Sequence, residues 1–337
     1  MRTRSNVIFA LFAFFIYVAS VNAQTDTTTI VVEDTKGLLE AQNLLQKEAS
    51  TTSTRTILQI KAKTYVLHDT FRIDQSNVCI NANPGTKLIL ADHVNKPVIA
   101  IGSQEEIPSY TIENICISGV EIDGNKDNQD SEFDADKPWI RNNGIDVRAV
   151  NRLTIDNVVS GNNRSGGLVV SWGSSNIHVL NSEFDNNYFD GVAYYDSTRI
   201  YTQNSSMKDN SGAGISLDNN LSDSIFSNCI ADSNQGVGLF VRFATQLRFN
   251  NCVIKNSLNW AAYLGQDENG NGVHDIMFSG CQLLNNHGGI FLSSTNDTQS
   301  NYTSVVGSVF RGNEQDGRLN IQTSGSTVWE SANIEMQ

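Results

Sequence analysis

The segments Gly144-Ile-Asp-Val, Gly167-Leu-Val-Val, Gly191-Val-Ala-Tyr, Gly214-Ile-Ser-Leu and Gly238-Leu-Phe-Val begin 23, 24, 23 and 24 residues apart. Ala261-Ala-Tyr-Leu continues the series, and Gly289-Ile-Phe-Leu and Gly317-Arg-Leu-Asn follow after insertions. A fixed period of this length marks a chain built from repeated supersecondary units. Each unit carries a second segment that alternates inward and outward residues: Leu153/Ile155, Ile177/Val179, Ile200/Thr202, Leu247/Phe249 and Ile276/Phe278. A period of two is the pattern of a strand with one buried face.

Asparagine marks the corners. Asn157, Asn181, Asn204, Asn228 and Asn251 stand just beyond those strands, and a second column reads Asn163, Asn187, Asn210 and Asn234, then Asn286 and Asn313. One such unit cannot bury its apolar face alone, whereas turns stacked on one another pair their backbones and close a core. Asparagines at equivalent corners can bond to one another up and down the stack. The expectation is an all-β solenoid of roughly ten turns across residues 56–337. Earlier turns are read at 56–73, 77–90 and 111–123. All four prolines (Pro84, Pro97, Pro108 and Pro138) precede the regular array, as continuous strand pairing requires. A solenoid end exposes unpaired strand edges, so residues 24–55 are read as an N-terminal cap, with an amphipathic helix over 35–49 behind Asp34.

Composition agrees. The 337 residues include 39 Asn, more than the 23 Lys and Arg together, with 18% charged residues, so neither a disordered chain nor a coiled coil fits. The net charge of −13 argues against general nucleic-acid binding, which needs basic patches. Arg2 and Arg4 precede an apolar run from Val7 to Val18 and small residues up to Ala23. That order predicts a signal peptide over 1–23, the run falling short of the ~20 residues that span a bilayer. The mature chain is expected to carry no transmembrane segment and to be secreted, periplasmic or on the cell surface. Five cysteines form no zinc motif. Cys229, Cys252 and Cys281 share one repeat position with Ser182 and Ser205, which reads as a stack of small residues. Cys79 and Cys116 sit in matching Asn-x-Cys-Ile motifs, where a bridge or two thiols both fit.

These repeats resemble right-handed parallel β-helix proteins, the pectate-lyase-like superfamily, over nearly the whole mature chain. The resemblance implies a right-handed single-stranded parallel β-helix whose function sits on one outward strand face and the loops beside it. In the Gly-led strand the third and fifth residues point outward. Arg148, Tyr195, Asp218 and Arg242 then line one groove on rungs about 4.8 Å apart and are the candidate catalytic residues. Asp146, Trp172, Asp196 and Tyr263 are candidate substrate contacts. Arginine neutralises a uronate carboxylate with paired hydrogen bonds, and aromatic rings stack on sugars. A β-elimination needs a cation to acidify the proton beside the carboxylate, a base to remove it, and an acid for the leaving oxygen. Arg148 or Arg242 is read as neutraliser or base, and Tyr195 as acid.

The motifs that separate activities within this fold are missing. No Asp-Pro-His element of alginate epimerases occurs, and the calcium-binding aspartate pairs of pectate lyases are only loosely echoed by Asp218 and Arg242. The Asn-Thr-Asp and Arg-Ile-Lys elements of polygalacturonases are absent. Asp196 and Asp218 form a conceivable pair for an inverting hydrolase. Asp267, Asn269, Asn271 and Asp275 match the first nine positions of a calcium loop without its twelfth-position Glu, so a calcium site and an ordinary polar turn both fit. The acidic stretch from Asp123 to Asp136 precedes the first groove strand and reads as a solvated loop, a groove wall or a cation site. Three functions follow: a polysaccharide lyase or C5-epimerase acting on an acidic, uronate-containing polysaccharide; a non-catalytic glycan-binding or structural surface protein; or an inverting glycoside hydrolase. Oligomeric state leaves no mark in the sequence.

Overall fold

The computed structural model describes residues 26–47, 54–293, 301–321 and 326–336. The expected signal peptide lies outside the described residues. Every ladder is parallel, and each strand pairs with the turn before and the turn after, giving a coil of about 12 turns. The rung count exceeds ten partly because Thr27–Val32, ahead of the helix, already pairs with Arg55–Ile60.

Three faces wrap the core. One is a ten-stranded sheet running from Phe71–Ile73 to Gln315–Ile321. The other two form a single 21-stranded network, because Val78–Leu90 and Ile112–Asp123 are long enough to pass through both faces. Register follows the repeat: Ile145, Leu168, Val192, Ile215, Leu239, Ala262 and Ile290 align in one column. The last rung departs from expectation by one residue, since Ile290 pairs with Leu319 through a register shift after Gly288.

The leading glycines are required by proximity rather than by dihedral angle. A Cβ on Gly191 would stand 2.7 Å from the Gly214 carbonyl oxygen and 2.8 Å from Asn210 Nδ2. The first asparagine column does need the left-handed conformation: Asn157, Asn181, Asn204, Asn228 and Asn251 have φ between 50° and 56°. Asparagine tolerates that region better than any other residue with a Cβ. The second column is a buried ladder. Asn163, Asn187 and Asn210 each donate Nδ2 to the next Oδ1, at 2.7, 2.8 and 3.0 Å, and each backbone N–H reaches the same oxygen. Ser257 interrupts it, its Oγ buried without a partner among the described residues, and Asn286 and Asn313 resume it.

Inside, Phe226, Phe249 and Phe278 stack rung on rung, with centroids 5.1 and 4.9 Å apart, and Tyr194 of the ten-stranded sheet tilts against Phe226 at 6.0 Å. Cys229, Cys252 and Cys281 are free and buried in the column begun by Ser182 and Ser205, as a small-residue stack requires. Cys79 and Cys116 face each other on adjacent strands and are bridged.

The helix spans Thr35–Lys47, residues 48–49 of the expected segment lying outside the described ones. Asp34 starts it by accepting the Gly37 N–H at 2.7 Å. Leu38, Ala41 and Leu45 point into the core, and Gln42 accepts the Arg72 N–H of the first strand of the ten-stranded sheet. It covers the edge that would otherwise expose core and backbone.

Candidate functional site

The outward side of the ten-stranded sheet carries two adjoining cavities, of about 420 and 590 Å³, that share Tyr195. Both lie in the range typical of ligand sites, ~300–1,000 Å³.

The first is walled by insertions between rungs. The stretch after Ile99–Gly102 and the acidic loop meet where Trp139 Nε1 donates to the Gln104 carbonyl at 3.3 Å. Phe133 of the acidic stretch, with Trp139 and Arg141 just after it, forms a wall of the groove. Arg141 pairs with Glu132 at 3.1 Å and lies over the rings of Phe133 and Phe189.

Arg148 ends the strand Ile145–Arg148 and is 2% exposed. Its Nη2 donates to the Glu106 carbonyl at 2.9 Å, and its Cζ stands 5.4 Å from the Trp172 ring centroid. Its Nε and Nη1 have no partner among the described residues. Arg148 thus lines the cavity with a guanidinium whose charge is set in a buried, low-dielectric wall. Asp146 stands on the same strand, its Oδ1 accepting Asn143 Nδ2 at 2.9 Å. Burial pushes its carboxyl up to about 6, against the opposing pull of Arg148 and the Asn143 bond. Trp172 occupies a left-handed corner, φ 58°, which turns its ring outward beside Arg148. Asp196 takes the matching corner one turn on and is exposed at the cavity rim.

Tyr195 ends the strand Val192–Tyr195 and is half-buried between the cavities. Burial and the nearby Asp190 charge raise its pKa, so the phenol stays neutral and able to donate. Asp190 is the functional candidate that sequence reasoning missed. It is 4% exposed, and its Oδ1 accepts the Ala213 N–H at 2.7 Å. Burial pushes its carboxyl up to about 6, opposed by the Ala213 N–H and by hydrogen bonds from Ser216 and Tyr195. A signal existed: equivalent repeat positions hold Gly166, Ala213 and Val237, so an aspartate breaks the column.

In the second cavity Asp218 is tied to Arg242, which donates Nε at 2.9 Å and Nη2 at 2.5 Å to Oδ2. Tyr263 lies between Phe240 and Phe291, with centroids 5.4 and 5.6 Å away. Trp260 packs on Phe291 at 4.9 Å. Asp218 is thus occupied by a cation on its own sheet, and Asp196 sits at a corner outside the strand, so the two do not form a free carboxylate pair.

The Asp267 loop folds as a self-capped turn. Asp267 Oδ1 accepts the Asn269 and Asn271 N–H groups at 3.0 and 2.7 Å, and Oδ2 accepts Asn271 Nδ2 at 2.9 Å. Amide donors, rather than oxygen ligands, face that carboxylate. Asp275 stands apart on the strand His274–Ser279. Among the described residues no three His, Cys, Asp or Glu side chains gather as a metal would need.

Known proteins share this coil. The family described as right handed beta helix region matches residues 98–269 and 167–333. The chain belongs to that family. The solved structure of Geobacillus virus E2 ORF18 is 13% identical, with a TM-score of 0.68 over 90% of this chain and 60% of that one. The Streptococcus pneumoniae surface protein and adhesin PfbA is 13% identical, covering 89% of this chain and 93% of that chain at a TM-score of 0.64. The Azotobacter vinelandii mannuronan C-5 epimerase AlgE4 A-module is 15% identical, covering 91% and 98% at 0.55. At these identities the likeness is one of fold. No curated protein sequence matches the chain. Among the described residues no helix is long and apolar enough to cross a membrane.

Proposed function

We propose that this β-helix is an exported enzyme acting on an acidic, uronate-containing polysaccharide by β-elimination, C5-epimerisation being the same proton chemistry with a different ending. One observation carries the reading: the Arg148 guanidinium, with two buried nitrogens that have no partner among the described residues, lines an aromatic-walled cavity that also reaches Tyr195. Its uncompensated positive charge favours a uronate carboxylate in that cavity. Neutralising it acidifies the adjacent C5 proton. Tyr195 oxygen takes that proton while its own passes to the ionised Asp190 carboxylate. Tyr195 then protonates the departing C4 oxygen as the C4–O bond breaks, and Asp190 returns its proton to Tyr195. The electron pair of the C5–H bond ends in the C4=C5 double bond. Returning the proton to the opposite face of C5 instead gives the epimer. The family fold and the neighbouring mannuronan epimerase support a polysaccharide substrate. The Cys79–Cys116 bridge supports an oxidising compartment outside the cytoplasm.

The glycan-binding alternative keeps its support from the adhesin PfbA and from the Asp218–Arg242 pair, a binding rather than reacting arrangement. The hydrolase reading is weaker, because Asp218 is held by Arg242. Incubation with a panel of uronate polysaccharides separates the three. A lyase produces ultraviolet absorbance from the unsaturated uronate, and Arg148→Ala and Tyr195→Phe each remove it. Binding without product supports the adhesin-like reading, reducing ends without absorbance a hydrolase. Full activity in both variants overturns the site.

A further inference from the structure

The two cavities differ in the charge they accept. The first is lined by Arg148, whose guanidinium has no carboxylate hydrogen-bonded to it among the described residues. In the second, the Arg242 guanidinium already spends Nε and Nη2 on Asp218. Asp190 and Asp218 both line this second cavity, and Asp267 and Glu268 lie close enough to Arg242 to raise its pKa. A carboxylate placed there meets anions without a free cation to neutralise it.

The same cavity has the shape of a ring-sized slot. Phe240 and Tyr263 are parallel to within 5°, one rung apart, so their planes lie across the coil axis and one Phe240 face is covered by Tyr263. The other face of Phe240 looks toward the preceding rung, where the paired residue is Ser216. The next residue in that column is Ala193. The aromatic column therefore stops at Phe240 and leaves a step at Ser216, which lines the cavity. Tyr195 closes the far side, its Oη 3.5 Å from Ser216 Oγ, and the Arg242 guanidinium, paired with Asp218, lies over the Phe240 ring with Cζ 5.6 Å from the centroid. Aromatic walls beside a carboxylate–guanidinium pair suit an uncharged pyranose: the ring's C–H groups against Phe240 and Tyr195, its hydroxyls on the ion pair.

We propose that the step between Phe240 and Tyr195 binds a neutral sugar ring next to the uronate held by Arg148, so that the substrate is a heteropolysaccharide in which uronate and uncharged sugar adjoin, rather than a homopolymer of uronate. This rests on the uronate reading of the Arg148 cavity. The arrangement assigns one carboxylate per two adjacent rings.

The test compares binding by calorimetry and product formation for four probes. Two alternate uronate with an uncharged sugar: rhamnogalacturonan backbone oligosaccharides and hyaluronan oligosaccharides. Two are homopolymers, polygalacturonate and polymannuronate oligosaccharides. An alternating probe is expected to bind at least about tenfold more tightly than either homopolymer. Ser216→Phe extends the aromatic column into the step, and Phe240→Ala removes its wall. Each is expected to weaken the alternating probe about tenfold or more, with melting temperatures confirming that both variants fold. Homopolymers binding as well as the alternating probes overturns the inference while the uronate reading stands. Unchanged affinity in a folded Ser216→Phe also overturns the neutral-sugar step alone. Failure of all four probes to bind overturns the uronate reading and this inference with it.

Discussion

Replacing Asp190 by Asn should make the protein more stable and less active. In the folded chain Asp190 is nine-tenths buried and binds its proton up to a pH of about 6, whereas an ordinary aspartate releases it near 3.8. Between those values the native state holds more protons than the unfolded chain, so stability falls as pH rises. It is fully present below 3.8 and lost as pH passes through about 6. At about 1.4 kcal/mol per pH unit, the gap between 3.8 and about 6 is worth about 3 kcal/mol. The groups that face Asp190 are the Ala213 N–H, Ser216, Tyr195 and, at longer range, Arg141. Asparagine keeps an oxygen for the Ala213 N–H and carries no charge to bury. Urea denaturation of both proteins from pH 4 to pH 8 should therefore show a gain for Asp190→Asn that grows to about 3 kcal/mol above pH 6 and vanishes near pH 4. Turnover on the same preparations should drop, because Tyr195 loses its proton acceptor; wild-type activity should rise with pH through about 6. A stability difference that is independent of pH, or a loss at pH 8, would refute the assignment of a strained, buried acid.

Asn187→Ala strands both Asn163 donors and takes the side-chain bond from Asn210 in a fully buried column, so chemical denaturation should show a loss of roughly 2–5 kcal/mol. Removing the Cys79–Cys116 bridge, which closes a separation of 37 residues, should cost about 2–4 kcal/mol. Adding a thiol reductant to the wild type should reproduce that loss, while Cys79→Ser/Cys116→Ser should be insensitive to it.

The coil was legible because its constraints repeat. Gly191 and Asn210 recur at nearly fixed spacing since the close approach of one turn to the next leaves little room there, Ala261 and Ser257 being small replacements in the two columns. Cys79 and Cys116 were legible as neighbours for the same reason, each standing in the same motif. Arg148, Tyr195, Asp218 and Arg242 fell on the expected outward row because strand alternation dictates it. What each of them touches did not follow. Asp218 pairs with Arg242, whereas Arg148 is buried and tied to the Glu106 carbonyl because the insertions after Gly102 and Asp123, which obey no period, cover its end of the row. Asp190 carries no motif of its own in the sequence; its burial emerges only when neighbouring turns are laid over it. Phe240 and Phe291 flank Tyr263, but the loop before His274 hides that alignment in the one-dimensional chain.

Ser257 has a consequence for where this chain can change length. The asparagine column fixes the corners and not the lengths between them: the amide bonds hold over spacings of 23 and 24 residues between Asn163 and Asn234 and of 27 between Asn286 and Asn313. At Ser257 the side-chain link is lost, yet the backbone N–H still reaches Asn286 Oδ1 at 3.0 Å across 29 residues, a span that contains the 266–273 loop. Loops grafted between corners should therefore be tolerated wherever the corner residues themselves are kept, which makes the corners the fixed points of the scaffold.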